Sequence, residues 1–137
     1  MEMRKSKFDT SHTCIFVTDE DEKYADLKPA FKKHGLAFKN DRFIFFDETE
    51  LRNQGYFDKD YITFIEAHEI AHTVLKHRQT SRHVEAEADF LAVLLCKDGN
   101  YTKSVKIGIR EFKDRNGIAF GMFSKKYKDS VLKKVKK

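Results

Sequence analysis

The sequence has none of the long apolar stretches that would indicate a membrane or secreted protein. No stretch approaches the roughly 18 consecutive apolar residues that a membrane-spanning helix needs. Residues 1–7 are charged and contain no apolar segment of the kind found in a secretory signal peptide. We therefore expect a protein without a membrane span that resides in the cytoplasm.

Tryptophan and cysteine are scarce as well. There is no tryptophan, so the 13 phenylalanines supply most of the aromatic weight of the core. The two cysteines, Cys14 and Cys96, lie far apart in apolar stretches, and no C-x-x-C pattern occurs. This arrangement is typical of buried free thiols in a reducing compartment, and a disulfide between them is the less favoured alternative.

The composition is that of one soluble globular domain. With 40% hydrophobic and 36% charged residues, a chain of 137 residues is long enough for one core and short for two. We expect a loose N-terminus over residues 1–10, a single domain over residues 11–120, and a basic C-terminal helix or tail over residues 121–137.

Positive charge is concentrated in that tail. Seven lysines and one aspartate lie in residues 121–137, whereas residues 1–120 sum to a charge of −1. A basic tail can bind nucleic acid or acidic lipid. We favour a solvated helix end that aids solubility, so nucleic acid is the less favoured partner.

The hydrophobic pattern predicts an α+β fold. Strands are predicted at residues 12–18, 36–38 and 42–46, and the last two flank an Asn-Asp turn and suit a hairpin. Helices are predicted over residues 19–34, 59–77, 83–97 and 118–135. The stretch 102–114 fits either a helix or a strand, and residues 47–57 read as a polar connection. We expect a short mixed or antiparallel sheet that packs on the helix at 59–77.

The clearest chemical signal lies in that helix, where residues 68–72 read H-E-x-x-H. Residues four apart share one face of a helix, so His68 and His72 can direct both imidazoles at one metal ion. Glu69 lies about 100° around the helix, where it can act on a metal-bound water rather than bind the metal. Because the motif sits in an apolar helix, where unpaired polar groups are costly, we favour a metal site over coincidence.

A third ligand is predicted in the next helix, where residues 85–89 read E-A-E-A-D. Glu85 can complete the metal site, and Asp89, on the same helix face, can accept the free N–H of a ligating imidazole. Glu87 is expected to face away from Glu85 and to be exposed. Alternatively, His77 or His83 could replace Glu85 and give a site of three histidines.

These residues resemble the ImmA/IrrE family of zinc metallopeptidases. Residues 64–77 are similar to the family's active-site helix, which often reads F-x-x-A-H-E-[LI]-[GA]-H-x-x-L-x-H. Residues 85–95 resemble its third-ligand segment, E-x-x-A-[ND] followed by F-A-x-x-L-L. The resemblance covers about residues 40–96 and implies a small zincin-like domain with one zinc ion per chain. Two features depart from the family. Cys96-Lys97 stands where the family often has Met-Pro. The sequence also shows no counterpart of the helix-turn-helix domain that many members carry, which argues against a role in transcriptional regulation.

The resulting hypothesis is a zinc metalloendopeptidase that hydrolyses peptide bonds of a protein or peptide substrate through a metal-activated water. In it, His68, His72 and Glu85 hold the metal, Glu69 moves the proton, and Asp89 orients a ligand ring. Zinc is the expected ion, although manganese and iron are compatible with these ligands.

Other parts of the hypothesis are less constrained. Tyr101, Arg110 and Tyr127 are candidates for stabilising the oxyanion. An exposed edge of the strand at 42–46 could bind substrate by strand addition. The alternative function is a metal-containing interaction module that binds protein or nucleic acid and cleaves nothing, and a plain α+β domain without metal is the third interpretation. The intact Glu69 favours the enzyme, because a structural metal site does not need that carboxylate.

Overall fold

A computed structural model describes residues 1–78, 81–122 and 128. In chain order, the elements are β1 (Glu2–Lys5), β2 (Thr13–Val17), α1 (Tyr24–His34), β3 (Ala37–Asn40), β4 (Phe43–Asp47), α2 (Glu48–Asn53), α3 (Lys59–Val74), α4 (Arg82–Asp98) and α5 (Thr102–Asn116). The predicted α+β class is confirmed. The chain divides into two compact units, Met1–Ile62 and Thr63–Lys137. The single domain over 11–120 stays a prediction.

The first unit contains a mixed four-stranded sheet in the order β1-β2-β4-β3. β2 and β4 run parallel, with Cys14 opposite Ile44, whereas β1 and β3 pair antiparallel at the two edges. Parallel neighbours need a long connection between them, and α1 with β3 provides it. The predicted hairpin of β3 and β4 is confirmed.

Side chains alternate between the two faces of this sheet, as expected for β-structure. On one face, Ile15 and Val17 pack with Phe31 of α1. On the other face, the rings of Phe16 and Phe46 stack with their centroids 4.7 Å apart. Both faces of the sheet therefore carry buried apolar residues, although Phe43 of β4 is 43% exposed.

Three expectations for this unit are wrong. Residues 1–10 are not loose throughout, because Glu2–Lys5 pair with β2. The strand at 42–46 offers no free edge, since β4 lies between β2 and β3 and its backbone groups pair on both sides. The stretch 47–57 is more than a connection, because the side chain of Asp47 accepts a hydrogen bond from the Glu50 N–H at 3.2 Å and caps α2.

Helix α3 carries the H-E-x-x-H motif and begins where the sequence predicts. Asp58 Oδ1 accepts hydrogen bonds from the backbone N–H groups of Asp60 and Tyr61, at 2.9 and 3.1 Å. These groups have no partner within the helix, so the cap stabilises its first turn. The helix ends at Val74, three residues before the predicted end at His77.

Helices α4 and α5 belong to the second unit. Helix α4 begins at Arg82, one residue before the predicted start, and Ser81 Oγ caps it by accepting the N–H of Val84 at 3.1 Å. The ambiguous stretch 102–114 is helical. A Cβ atom at Gly108 would lie 2.7 Å from Val93 Cγ2 and 2.9 Å from Phe64 Cε1, so only glycine permits this close helix packing. The core of this unit includes Ala71, Leu75, Ala86, Ala88, Phe90, Leu91 and Phe112.

Some predictions concern residues that the structure describes in part or not at all. Most of the helix predicted over 118–135 and most of the basic tail over 121–137 lie outside the described residues. Within residues 1–78 and 81–122, none of the helices has the length and apolar character that crossing a membrane requires. Cys14 and Cys96 are both buried free thiols, as predicted.

Candidate metal centre

The three predicted ligands come together in the second unit. Each of His68, His72 and Glu85 offers one ligand atom, and these atoms all lie within 4.8 Å of one another. The two Nε2 atoms of the histidines are 3.1 Å apart. Glu85 Oε2 lies 2.9 Å from His68 Nε2, and Glu85 Oε1 lies 3.4 Å from His72 Nε2.

These separations suit an ion of the size of zinc. Zinc bonds to imidazole nitrogen and carboxylate oxygen are about 2.0–2.2 Å long, so tetrahedral ligand atoms lie about 3.3–3.6 Å apart. The observed separations are near this range: 3.1 Å between the two Nε2 atoms, 2.9 Å from Glu85 Oε2 to His68 Nε2, and 3.4 Å from Glu85 Oε1 to His72 Nε2. Two imidazoles and one carboxylate are also the donor set of many catalytic zinc sites, which leave a fourth position for water.

Asp89 lies where the sequence places it, beside the outer nitrogen of His68. His68 is 8% exposed, and its Nδ1 is 2.8 Å from Asp89 Oδ1. A histidine that binds metal through Nε2 carries its proton on Nδ1, and the carboxylate is the acceptor for that proton. Arg115 of α5 donates from Nη1 to the same oxygen at 3.0 Å, a contact that sequence reasoning missed.

The close contacts among these side chains change the pKa values of His68 and Glu85. Burial alone would lower the pKa of His68, but hydrogen bonds to Asp89 and Glu85 and the charges of Asp89 and Glu69 raise that pKa to about 10. Burial opposes the ionisation of Glu85, but hydrogen bonds from His68 and His72 bring the pKa of its carboxyl below the usual range. A metal ion and a proton therefore compete for the Nε2 atom of His68.

The predicted proton carrier lies beside this cluster. Glu69 is half-buried, and its negative charge is close enough to contribute to the raised pKa of His68. Among the oxyanion candidates, Tyr101 immediately precedes α5, Arg110 is exposed, and Tyr127 lies outside the described residues. The choice among these three stays open, and the role of Glu69 stays a prediction.

The two alternative third ligands do not join the group. His77 Nδ1 is 3.0 Å from His72 Nδ1, on the side of that ring away from Glu85, and His77 Nε2 is 3.2 Å from Glu87 Oε1. The side chain of His83 is 56% exposed, and its Nε2 lies 3.8 Å from the same oxygen. The geometry therefore favours Glu85 as the third ligand.

The expectation that Glu87 is exposed is wrong, because this residue is 2% exposed. The cause is the turn after α3. The N–H of His77 donates to the carbonyl of His72 at 3.0 Å, the N–H of Lys76 donates to the carbonyl of Thr73 at 3.1 Å, and Lys76 has a φ of 57°. This is the Schellman pattern of a helix end, and it turns His77 back toward the motif, against Glu87.

No protein-family model, curated protein or solved structure matches this chain. The resemblance to the ImmA/IrrE peptidases therefore rests on the motifs in residues 64–77 and 85–95, and it stays a prediction. The fold and the site define an α+β protein with a candidate centre of two histidines and one glutamate for a metal ion.

Proposed function

We propose that this protein is a zinc-dependent peptidase that hydrolyses peptide bonds of a protein or peptide substrate. The observation that carries the proposal is the convergence of His68, His72 and Glu85 from two helices on one point, with the half-buried Glu69 next in the chain to the first ligand. The H-E-x-x-H resemblance supplies the reaction class, and the geometry supports the ligand set.

Each side chain has a separate task in this proposal. His68, His72 and Glu85 would hold a zinc ion, which would supply a bound water whose pKa is lowered to about 7. Glu69 accepts a proton from the attacking water and passes it to the leaving amine. Asp89 accepts the Nδ1 proton of His68 and so keeps the Nε2 atom of that ring available as a ligand.

The enzyme is favoured over a non-catalytic interaction module. A structural metal site is closed by four protein ligands, whereas the described residues bring three ligand atoms together beside a carboxylate. Most of the Lys-rich tail, through which the alternative function would bind nucleic acid, lies outside the described residues. A cytoplasmic location is part of the proposal and is supported by the two buried free thiols.

The first experiment is elemental analysis of protein purified without a chelator or a metal-affinity tag. We expect about one zinc per chain in the wild type and much less in His72→Ala and Glu85→Ala, because each variant removes one of three ligands. His83→Ala is the matched control, since this exposed histidine lies near the centre without joining it. A wild type that takes up no metal, even after zinc is added, would remove the basis of the proposal.

A second variant separates metal binding from catalysis. Glu69→Gln keeps the shape of the side chain and loses the base, so we expect normal zinc content and a peptidase rate lower by about 100-fold or more. The rate is measured on a broad peptide library by mass spectrometry, with metal-stripped wild type as the blank. Cleavage by Glu69→Gln at the wild-type rate would show that this carboxylate is not the base.

A further inference from the structure

A second run of hydrogen bonds leads away from the candidate centre. It starts at His72 Nδ1, the nitrogen that is not turned toward Glu85, and reaches His77 Nδ1 at 3.0 Å. It continues from His77 Nε2 to Glu87 Oε1 at 3.2 Å. Both added side chains are buried, with 7% of His77 and 2% of Glu87 exposed. Buried polar side chains need hydrogen-bond partners. His77 and Glu87 are partners for each other, and His77 is also a partner for His72.

We propose that His77 and Glu87 are positioning residues that hold the ring of His72 ready to bind metal through Nε2. The inference rests on the proposed metal centre and gives a role to two residues that are not ligands: His77, the last position of the helix pattern quoted above, and Glu87, an unspecified position of E-x-x-A-D. Neither residue contacts the metal in this proposal, and both act through His72.

The proton positions follow from the geometry. The Nε2 atom of His72 faces His68 and Glu85, so a metal ion at that atom requires the ring proton to be on Nδ1. This N–H points to His77 Nδ1, which must then be an unprotonated acceptor. The proton of His77 is therefore on Nε2, where the carboxylate of Glu87 accepts it.

Both ligand histidines are thus oriented by carboxylates of one helix. Asp89 reaches His68 directly at 2.8 Å, whereas Glu87 reaches His72 through the intervening His77. Such outer partners fix the tautomer and the orientation of a ligand ring, and their loss typically weakens metal binding about 10- to 100-fold.

The backbone also holds His77 in place. Its N–H donates to the carbonyl of His72, the residue whose ring it contacts, and Lys76 adopts the left-handed φ of 57° that this turn requires. The side chain therefore needs little further ordering to reach His72. Because a buried His–Glu pair also stabilises a fold, stability and metal binding are measured separately.

The test uses four single variants of the full chain and one double variant, His77→Phe with Glu87→Gln. His77→Phe keeps a ring and removes both nitrogens, whereas His77→Asn can place its amide oxygen near the Nδ1 position and cannot reach Glu87. Glu87→Gln keeps an acceptor and removes the charge. His83→Asn is the control, because this histidine approaches Glu87 at 3.8 Å and has no place in the run to His72.

Three readouts are recorded for each protein. The zinc dissociation constant is measured by competition with a chromophoric chelator, and the visible absorption spectrum is measured after loading with Co²⁺, which reports the geometry of the ligands. Urea unfolding of the metal-free proteins gives their stability separately. A purely structural role would change the unfolding and leave the first two readouts unchanged.

We expect zinc affinity to fall about 10- to 100-fold in His77→Phe and less in His77→Asn. Glu87→Gln should lower it by about 3- to 10-fold, and the His83 control should stay within about twofold of the wild type. Because Glu87 acts through His77, adding Glu87→Gln to His77→Phe should weaken binding no further. The Co²⁺ spectrum should change in His77→Phe and be partly restored in His77→Asn.

The outcomes that overturn the inference are distinct from those that overturn the metal centre. A wild type that binds neither zinc nor Co²⁺ overturns the centre and this inference with it. A wild type that binds zinc, with His77→Phe of equal affinity and unchanged spectrum, overturns the positioning role alone. Additive losses in the double variant would also overturn it. If His77→Phe does not fold, His77→Asn and Glu87→Gln decide by the same criteria.

Discussion

Replacing Asp89 with asparagine removes the negative charge from a buried carboxylate that two donors share. Oδ1 of Asp89 is 2.8 Å from His68 Nδ1 and 3.0 Å from Arg115 Nη1, and the residue is 1% exposed. An asparagine oxygen can still accept both hydrogen bonds, so the substitution tests the charge and leaves the shape of the side chain nearly unchanged.

The expected size of the effect follows from the two hydrogen bonds. A hydrogen bond to a charged group contributes about 1.5–3 kcal/mol, against about 0.5–1.5 kcal/mol for a neutral one, so each bond weakens by about 1 kcal/mol. The bond to His68 acts on the metal ligand, and about 1 kcal/mol corresponds to a roughly fivefold loss of zinc affinity. Both bonds act on the fold, so the free energy of unfolding of the metal-free protein should fall by about 2 kcal/mol.

Zinc competition titration and urea unfolding measure these two quantities. Glu111→Gln is the control, because Glu111 approaches the same arginine, Arg115, at 3.6 Å from Nε. That control should lose little stability and no zinc affinity. If Asp89→Asn loses stability but binds zinc as tightly as the wild type, then Asp89 serves the fold through Arg115, and the reasoning that it orients His68 is refuted.

Two further predictions concern stability. Lys76→Gly relieves a left-handed backbone at φ 57° in the turn after α3, so it should raise the free energy of unfolding by about 0.5–1 kcal/mol in a urea titration. Tyr24→Phe removes the hydrogen bonds from the Tyr24 hydroxyl to the Asp47 carboxylate, at 3.0 and 3.1 Å, and should lower stability by about 1 kcal/mol at neutral pH. Burial and the bond to Asp47 raise the pKa of Tyr24 to about 12, above its ordinary value of 10. The stabilisation is therefore complete below pH 10 and is lost as the pH rises through 12, so the difference between wild type and variant should shrink over that range.

Each of these has a clear contrary result. A Lys76→Gly protein less stable than the wild type would mean that the lysine side chain contributes more than the backbone strain removes. A difference between Tyr24→Phe and the wild type that is the same at pH 8 and pH 11 would mean that the hydroxyl does not lose its bond to Asp47 on ionisation.

The parts of the site that the sequence predicts are those that follow from spacing within one helix. His68 and His72 are four apart on α3, and Glu85 and Asp89 are four apart on α4, so helical geometry alone pairs them. Their proximity across the two helices does not follow from that spacing. The structure brings His68, His72 and Glu85 together as expected.

The parts that could not be predicted depend on the turn after α3 or on distant segments. The contact between His77 and Glu87 needs a left-handed residue at position 76, and lysine, unlike glycine or asparagine, carries no signal for that conformation. Arg115 reaches Asp89 from 26 residues away, a distance over which no periodicity extends. In the first unit, β1 was missed because its four residues, E-M-R-K, are mostly exposed and lack an apolar alternation.

The carboxylates of α4 link all the contacts of the centre to the position of this one helix. Glu85, Glu87 and Asp89 span about 6 Å of one helix at 1.5 Å per residue, and they contact His68, His72 and His77 together. A slide or rotation of this helix by one residue would break all of these contacts in the same event. An ion bound to the proposed centre would also stabilise the packed position of α4, because this helix supplies Glu85, so ion binding and packing of the helix would be thermodynamically linked.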